Sequence, residues 1–229
     1  MCGRVLYSDE EDICASCQTQ LPRTEHASHR DNRTEQLFAG DDKLVRAGSF
    51  CYYPPEHPYR NAIREMKFYA RPEIGQQLGR MAAEEWRGSG FFDGIDYLVP
   101  LPLHRKRLHK RGYNQAEYIA RGISQVTGIP IATKLLARRE NNAQQSRKSL
   151  DERKQLPQIF LVKDPAALRG KTVLLIDDVI TSGSTMRRVT ELLHAIPKCR
   201  YVIFSLALAK GDSHGETPIG LYFGGSLPV

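Results

Sequence analysis

Apolar positions recur along the chain in short blocks that alternate between a strand-like and a helix-like period. Residues 44–53 form a hydrophobic run that predicts a strand, broken by Pro54, Pro55 and Pro58. Pro72 suits a first helical turn. Ile74, Leu78, Met81 and Ala82 then follow at i, i+4, i+7 and i+8, predicting an amphipathic helix that ends near Gly88. Residues 95–99 predict a short strand closed by Pro100, Leu101 and Pro102. Asn114 with Glu117 three residues on is a variant capping box, after which Ala116, Ile119, Ala120, Ile123 and Val126 mark one helical face. Residues 129–136 read as another strand. The unbroken apolar run at 172–176 predicts a buried strand, with Met186, Val189, Leu193 and Ile196 as a helical face behind it and a last strand at 201–209. Strands alternating with helices at this spacing predict an α/β domain with a mainly parallel sheet.

Two stretches depart from that texture. Residues 1–42 are polar and turn-rich, carry Cys2, Cys14 and Cys17, and hold too few apolar residues to fold without a staple such as a metal. The expected division is therefore a small segment at 1–42 and one larger domain at 43–229. Residues 138–156 are polar and charged, and read as either a mobile loop or a solvated helix.

The 229 residues are 41% hydrophobic and 26% charged, an ordinary globular balance with enough chain for a full core. The longest apolar runs, at 173–176 and 202–209, fall far short of the roughly 18 residues a membrane helix needs. The first residues show no basic segment followed by an apolar run, so a cytoplasmic location without membrane insertion is expected. Five cysteines are too few and too scattered for a disulfide scaffold, which leaves reduced thiols or metal ligands. A net charge of +7 points to an anionic partner, either nucleic acid or a phosphorylated small molecule.

The chemistry concentrates after the apolar run at 173–176. Asp177 and Asp178 come first, then Thr181, Ser182, Gly183, Ser184 and Thr185 lead straight into a helix. Backbone N–H groups at a helix start, flanked by small residues that allow close approach, suit a phosphate. Carboxylates just before them would repel a phosphate but accept hydrogen bonds from sugar hydroxyls. A phosphorylated sugar satisfies both halves at once. Gly170, Lys171 and Thr172 only mimic the end of a P-loop, because Pro165 stands where the first glycine belongs and the triplet precedes a strand.

Residues 173–185 resemble the thirteen-residue 5-phosphoribosyl pyrophosphate motif of the type I phosphoribosyltransferases. Within that superfamily Val99 to Pro102, Arg107, the run Arg111 to Ala116, and Gln144, Gln145, Ser146 and Arg153 resemble the ComF family, named for competence and including GntX-like proteins. The N-terminal cysteines with Leu21, Pro22 and Arg23 resemble the zinc-ribbon segment that begins such proteins. The resemblance implies a type I phosphoribosyltransferase-like parallel sheet flanked by helices. It further implies Asp177 and Asp178 on the ribose hydroxyls, and Val179 and Thr181 to Thr185 around the 5-phosphate. A pyrophosphate loop of Leu103, His104, Arg105 and Lys106, with Arg105 joining the acid pair in catalysis, is implied as well. Arg138, Gln144, Ser146 and Arg153 would belong to a flexible loop that closes over the site.

Read from the residues, the basic run 104–111 is equally a solvated face or a ligand site, with nucleic-acid contact a third option, and its position just after a strand end favours the pyrophosphate role. Cys2, Cys14 and Cys17 are one ligand short of a closed tetrahedral zinc site. Either a cysteine three residues before Cys2 is expected upstream, or His26 or His29 supplies the fourth position, or the site is degenerate. Two functions of different class follow from the resemblance. One is a magnesium-dependent transferase of the glycosyltransferase class, acting in nucleotide metabolism on an unnamed nitrogen acceptor. The other is a non-catalytic nucleotide-binding adaptor in DNA uptake, touching protein partners or single-stranded DNA.

Overall fold

The computed structural model describes residues 1–8, 10–139 and 159–209. Its centre is a four-stranded, wholly parallel sheet in the order β1-β6-β5-β2, built from β1 (Leu44–Tyr52), β2 (Tyr97–Pro100), β5 (Thr172–Ile180) and β6 (Arg200–Leu208). A separate antiparallel pair, β3 (Leu136–Arg138) and β4 (Phe160–Val162), lies outside that sheet. The strand expected at 129–136 is thus corrected. Ile131 makes an isolated parallel bridge to Leu98 with Pro130 donating no N–H beside it, and the ladder begins only at Leu136.

Helices cover both faces. On one, α3 (Tyr59–Phe68), α4 (Glu73–Glu85) and α6 (Gln115–Thr127) bury Ile63, Met66, Leu78, Ile119 and Ile123 against Leu174, Ile176 and Phe204. Close approach of α4 and α6 depends on Gly122, where a Cβ would meet the Gln76 carbonyl oxygen at 2.0 Å. On the other face α7 (Ser184–His194) packs Met186, Val189 and Leu193 over Val173, Leu175 and Ile203. The short helices α1 (Ala15–Thr19), α2 (Arg33–Gln36) and α5 (Arg105–Arg111) and a single 3-10 turn at Ala166–Leu168 complete the described elements.

The N-terminal segment is not a detached appendage. Ile13, Cys14, Cys17, Leu21 and Ala27 are buried in the same cluster as Phe50 and Trp86. Asn32 caps α2 through Thr34 N–H at 2.9 Å and donates to the Ala47 carbonyl at 2.9 Å, fastening this segment to β1. Among the described residues, no helix is long and apolar enough to cross a membrane.

Candidate functional site

Strand β2 stops with Pro100 opposite Ile176, and one further bond from Leu101 N–H to the Ile176 carbonyl (2.9 Å) closes that side. Asp177 to Ile180 therefore overhang at the carboxyl edge of the sheet, paired only with β6. Ligands bind at such an edge in parallel sheets. The apolar run predicts a strand over 172–176; β5 instead runs on through both acids to Ile180, because β6 continues to pair with it through Leu208.

Consecutive strand residues face opposite sides. Asp178 falls on the side of Leu174 and Ile176, against α3 and α6, and is only 5% exposed. Lys67 Nζ lies 3.0 Å from its Oδ1, and Gln115 Nε2 donates to its Oδ2 at 2.6 Å. Gln115 is itself held by the Arg111 guanidinium, which donates to Gln115 Oε1. Asn114 caps α6 by accepting from Ala116 N–H at 3.1 Å and donates to the Leu101 carbonyl at 3.0 Å, which ties the start of α6 to the end of β2. Asp177, on the other side, accepts from the Asp178 N–H at 2.8 Å. Burial first, then the neighbouring Asp178 charge, push its carboxyl up to about 7.

Both acids open onto a cavity of about 600 Å³. Lys67, Arg107, Lys110, Arg111 and Arg138 bring cations to its wall, so positive groups outnumber the acid pair. Phe68, Leu101, Pro102 and Phe160 give it apolar patches. Arg138 lies over the Phe160 ring, 5.3 Å from its centroid, with its Nε buried and unpartnered; burial first, then Arg107, push its pKa below the usual guanidinium value. Such a lining suits a polyanion that also carries hydroxyl groups.

The sequence-predicted residues distribute unevenly around this cavity. Thr185 lines it, whereas Thr181, Ser182 and Ser184 are exposed on the neighbouring turn and Val179 is half-buried against the core. Leu103 lines it too. The turn expected at 103–106 is shorter than expected: His104 Nδ1 accepts from Lys106 N–H at 3.2 Å as an N-cap, so α5 begins at Arg105 and leaves Arg105 and Lys106 exposed outside the cavity. Gln144, Ser146 and Arg153 lie outside the described residues. Sequence reasoning missed Lys67 and Phe68 altogether, noted Arg107 and Arg111 only within the basic run 104–111 and the family resemblance, and assigned no role to Gln115.

The thiols of Cys2, Cys14 and Cys17 lie within 4.8 Å of one another, a donor set that could hold a metal ion. The Cys17 backbone N–H and then the neighbouring thiols, against the opposing effect of burial, bring Cys14 down to about 7, and thiolates are what soft and borderline metals bind. Neither histidine candidate joins them in the structure. His26 is buried, its Nδ1 facing the Ser49 N–H at 3.3 Å and Thr34 Oγ1 at 3.0 Å, and His29 is exposed with its Nε2 3.9 Å from Glu25.

Burial first, then the nearby His29, push His26 down to about 4 from 6.5. The unfolded chain therefore binds a proton that the native state refuses. The stability His26 contributes is fully present above about pH 6.5 and is lost as pH falls toward 4, on the order of 3 kcal/mol in all. Thermal melts across that window should show a shallower acid decline for His26→Asn, whose side-chain oxygen can still accept from Ser49. An unchanged pH profile would contradict a buried neutral imidazole.

Residues 69–218 match the family model described as phosphoribosyl transferase domain. Competence protein F of Haemophilus influenzae is 25% identical over 91% of this chain and 95% of its own length. Competence protein ComFC of Bacillus subtilis is 27% identical over 82% of this chain and 80% of its own. The DNA utilization protein YhgH of Escherichia coli K12 is 28% identical over 84% and 82%. The overhanging acid pair lies within the matched segment, and the full-length similarity runs to competence proteins, so the chain belongs to the ComF-like family of type I phosphoribosyltransferase-domain proteins.

Proposed function

We propose that this chain binds 5-phosphoribosyl pyrophosphate with magnesium at the β5 edge and transfers the phosphoribosyl group to or from a nitrogen acceptor. The observation that carries the reading is the joining of Asp177 and Asp178 to a cationic wall across one cavity. Asp178, in contact with Lys67 and Gln115, would accept from one ribose hydroxyl and Asp177 from the other. The turn before α7, with Thr185 at the cavity, would take the 5-phosphate. The residues fit a hard divalent cation, since Asp177 brings carboxyl oxygens to the cavity wall, and a bound cation would favour the ionisation that burial first, and then Asp178, oppose. Asp177 would hold magnesium together with ligand oxygens, and the ion would neutralise charge on the leaving pyrophosphate.

In the forward direction the bond from the anomeric carbon to the pyrophosphate oxygen breaks and its electron pair leaves with pyrophosphate. The nitrogen lone pair forms the new bond, and the nitrogen gives up a proton. Arg107, Lys110 and Arg111 would stabilise the departing charge, and Leu101, Pro102 and Phe160 would limit water near the anomeric carbon. Release of pyrophosphate dependent on a nitrogen acceptor tests the reading. Ligand binding with no release across a panel of bases and amines would instead support a non-catalytic adaptor, the reading toward which the relatives' competence names and the exposed basic face of α5 lean.

Structural zinc is our reading for the N-terminal triad, in a segment we bound at residue 42, just before β1. Zinc bound through Cys14 should be lost in Cys14→Ser, with a fall in melting temperature that chelator reproduces in the unmodified protein. Elemental analysis finding no zinc in protein purified without chelator would contradict this.

A further inference from the structure

Helix α7 opens on Gly183, which takes a left-handed φ of 74° and brings no side chain to cap the first turn. The N–H groups of that turn are left for a ligand, and Thr181 and Ser182 before it are exposed. A glycine turn without a cap of its own has many conformations open to it, so a cradle of fixed shape has to be held from outside.

Arg187, one turn into the helix, supplies the hold. Its Nη1 donates to the Ser182 carbonyl at 2.8 Å and its Nη2 donates to the Leu37 carbonyl, with the guanidinium carbon 5.6 Å from the centroid of the Phe38 ring. Phe38 is buried, and its Cζ stands 3.0 Å from where a Cβ on Gly183 would sit. One planar group thus ties the residue before the glycine to the end of α2, while a ring packs against the glycine itself. Arg187 does not line the cavity and turns both terminal nitrogens to protein carbonyls, so it acts on a ligand through the turn and not by contact. Leu37 and Phe38 precede the matched segment 69–218, so the N-terminal segment supplies one side of this brace.

We propose that Arg187 is a positioning residue for the 5-phosphate end of the site. By fastening Ser182 to Leu37 over the Phe38 ring, it fixes the direction of the backbone N–H groups at the start of α7, and through it the N-terminal segment sets the affinity for a sugar phosphate. The proposal rests on the sugar-phosphate reading above, and one experiment separates the two. Ribose 5-phosphate and, separately, pyrophosphate with magnesium are titrated calorimetrically into the unmodified protein, Arg187→Met and Arg187→Lys, well below each melting temperature. Pyrophosphate would use the wall of Arg107, Lys110 and Arg111, which the brace does not touch. Arg187→Met, which keeps the stem and removes the donors, should bind ribose 5-phosphate about tenfold more weakly, the scale of one hydrogen bond to a charged group, with pyrophosphate affinity unchanged. Arg187→Lys should show the same selective loss, because an ammonium keeps the charge but does not span two carbonyls as the guanidinium fork does. Ribose 5-phosphate affinity that survives either substitution, or that falls in step with pyrophosphate affinity, overturns the positioning role while leaving the sugar-phosphate site standing. Ribose 5-phosphate that fails to bind the unmodified protein when 5-phosphoribosyl pyrophosphate binds also overturns it, since the turn then holds no phosphate of its own. Failure of both to bind the unmodified protein overturns the site itself, and the positioning role with it.

Discussion

Gly183→Val should lower the stability of the protein by about 2 to 6 kcal/mol, the sum of left-handed backbone strain and overpacking. In a chain of this size that is a drop of roughly 5 to 20 °C in melting temperature. Read from the sequence, Gly183 is the residue that lets a phosphate approach the backbone in a surface loop, so a valine there is expected to spare the fold. The structure corrects this. Gly183 is buried with φ +74°, and a Cβ would come to 3.0 Å from Phe38 Cζ and 3.7 Å from Leu37 Cβ. Arg187 reinforces the same contact, donating to the Ser182 carbonyl at 2.8 Å and to the Leu37 carbonyl. The N-terminal segment therefore braces the turn that precedes α7. Phe38→Ala should relieve the steric part of the cost, so the double variant should be less damaged than the two single effects added together. Strict additivity would show that the Phe38 contact is absent in solution.

Asp178→Asn should weaken 5-phosphoribosyl pyrophosphate binding by about 1 to 3 kcal/mol, the range for hydrogen bonds to charged groups. The substitution keeps shape and leaves an oxygen for the Gln115 amide, but it removes the counter-charge of Lys67 in a site where Asp178 is 5% exposed. Some loss of stability is expected with it, since one partner of a buried ion pair remains. The affinity ratio should therefore be measured well below the melting temperature of the variant. Binding that matches the unmodified protein would remove Asp178 from the ligand site.

Much of the frame was legible in residue patterns. Strands β1, β5 and β6 and helices α4, α6 and α7 follow from apolar runs and helical spacing, and Asn114 does cap α6 as its sequence suggests. Helix α3 was within reach of the same reasoning, because Tyr59, Ala62, Ile63 and Met66 fall at i, i+3, i+4 and i+7 and are all buried. What no local pattern carries is pairing across the fold. Lys67 reaches Asp178 only because α3 packs against α4 on the face of the sheet that α6 also covers, and nothing around Lys67 marks it as different from other helix-end lysines. The extension of β5 through two aspartates runs against strand propensity and is imposed by the ladder to β6. His26 looked available as a ligand because its burial under Thr34 and Ser49 is a tertiary fact.

Whether the β5 edge is a 5-phosphoribosyl pyrophosphate site is decided by calorimetric titration of that compound with magnesium into the unmodified protein. Saturable binding of one molecule per chain is expected, weakened by Asp178→Asn and accompanied by a rise in melting temperature. No binding heat and no thermal shift at millimolar ligand with excess magnesium would contradict it.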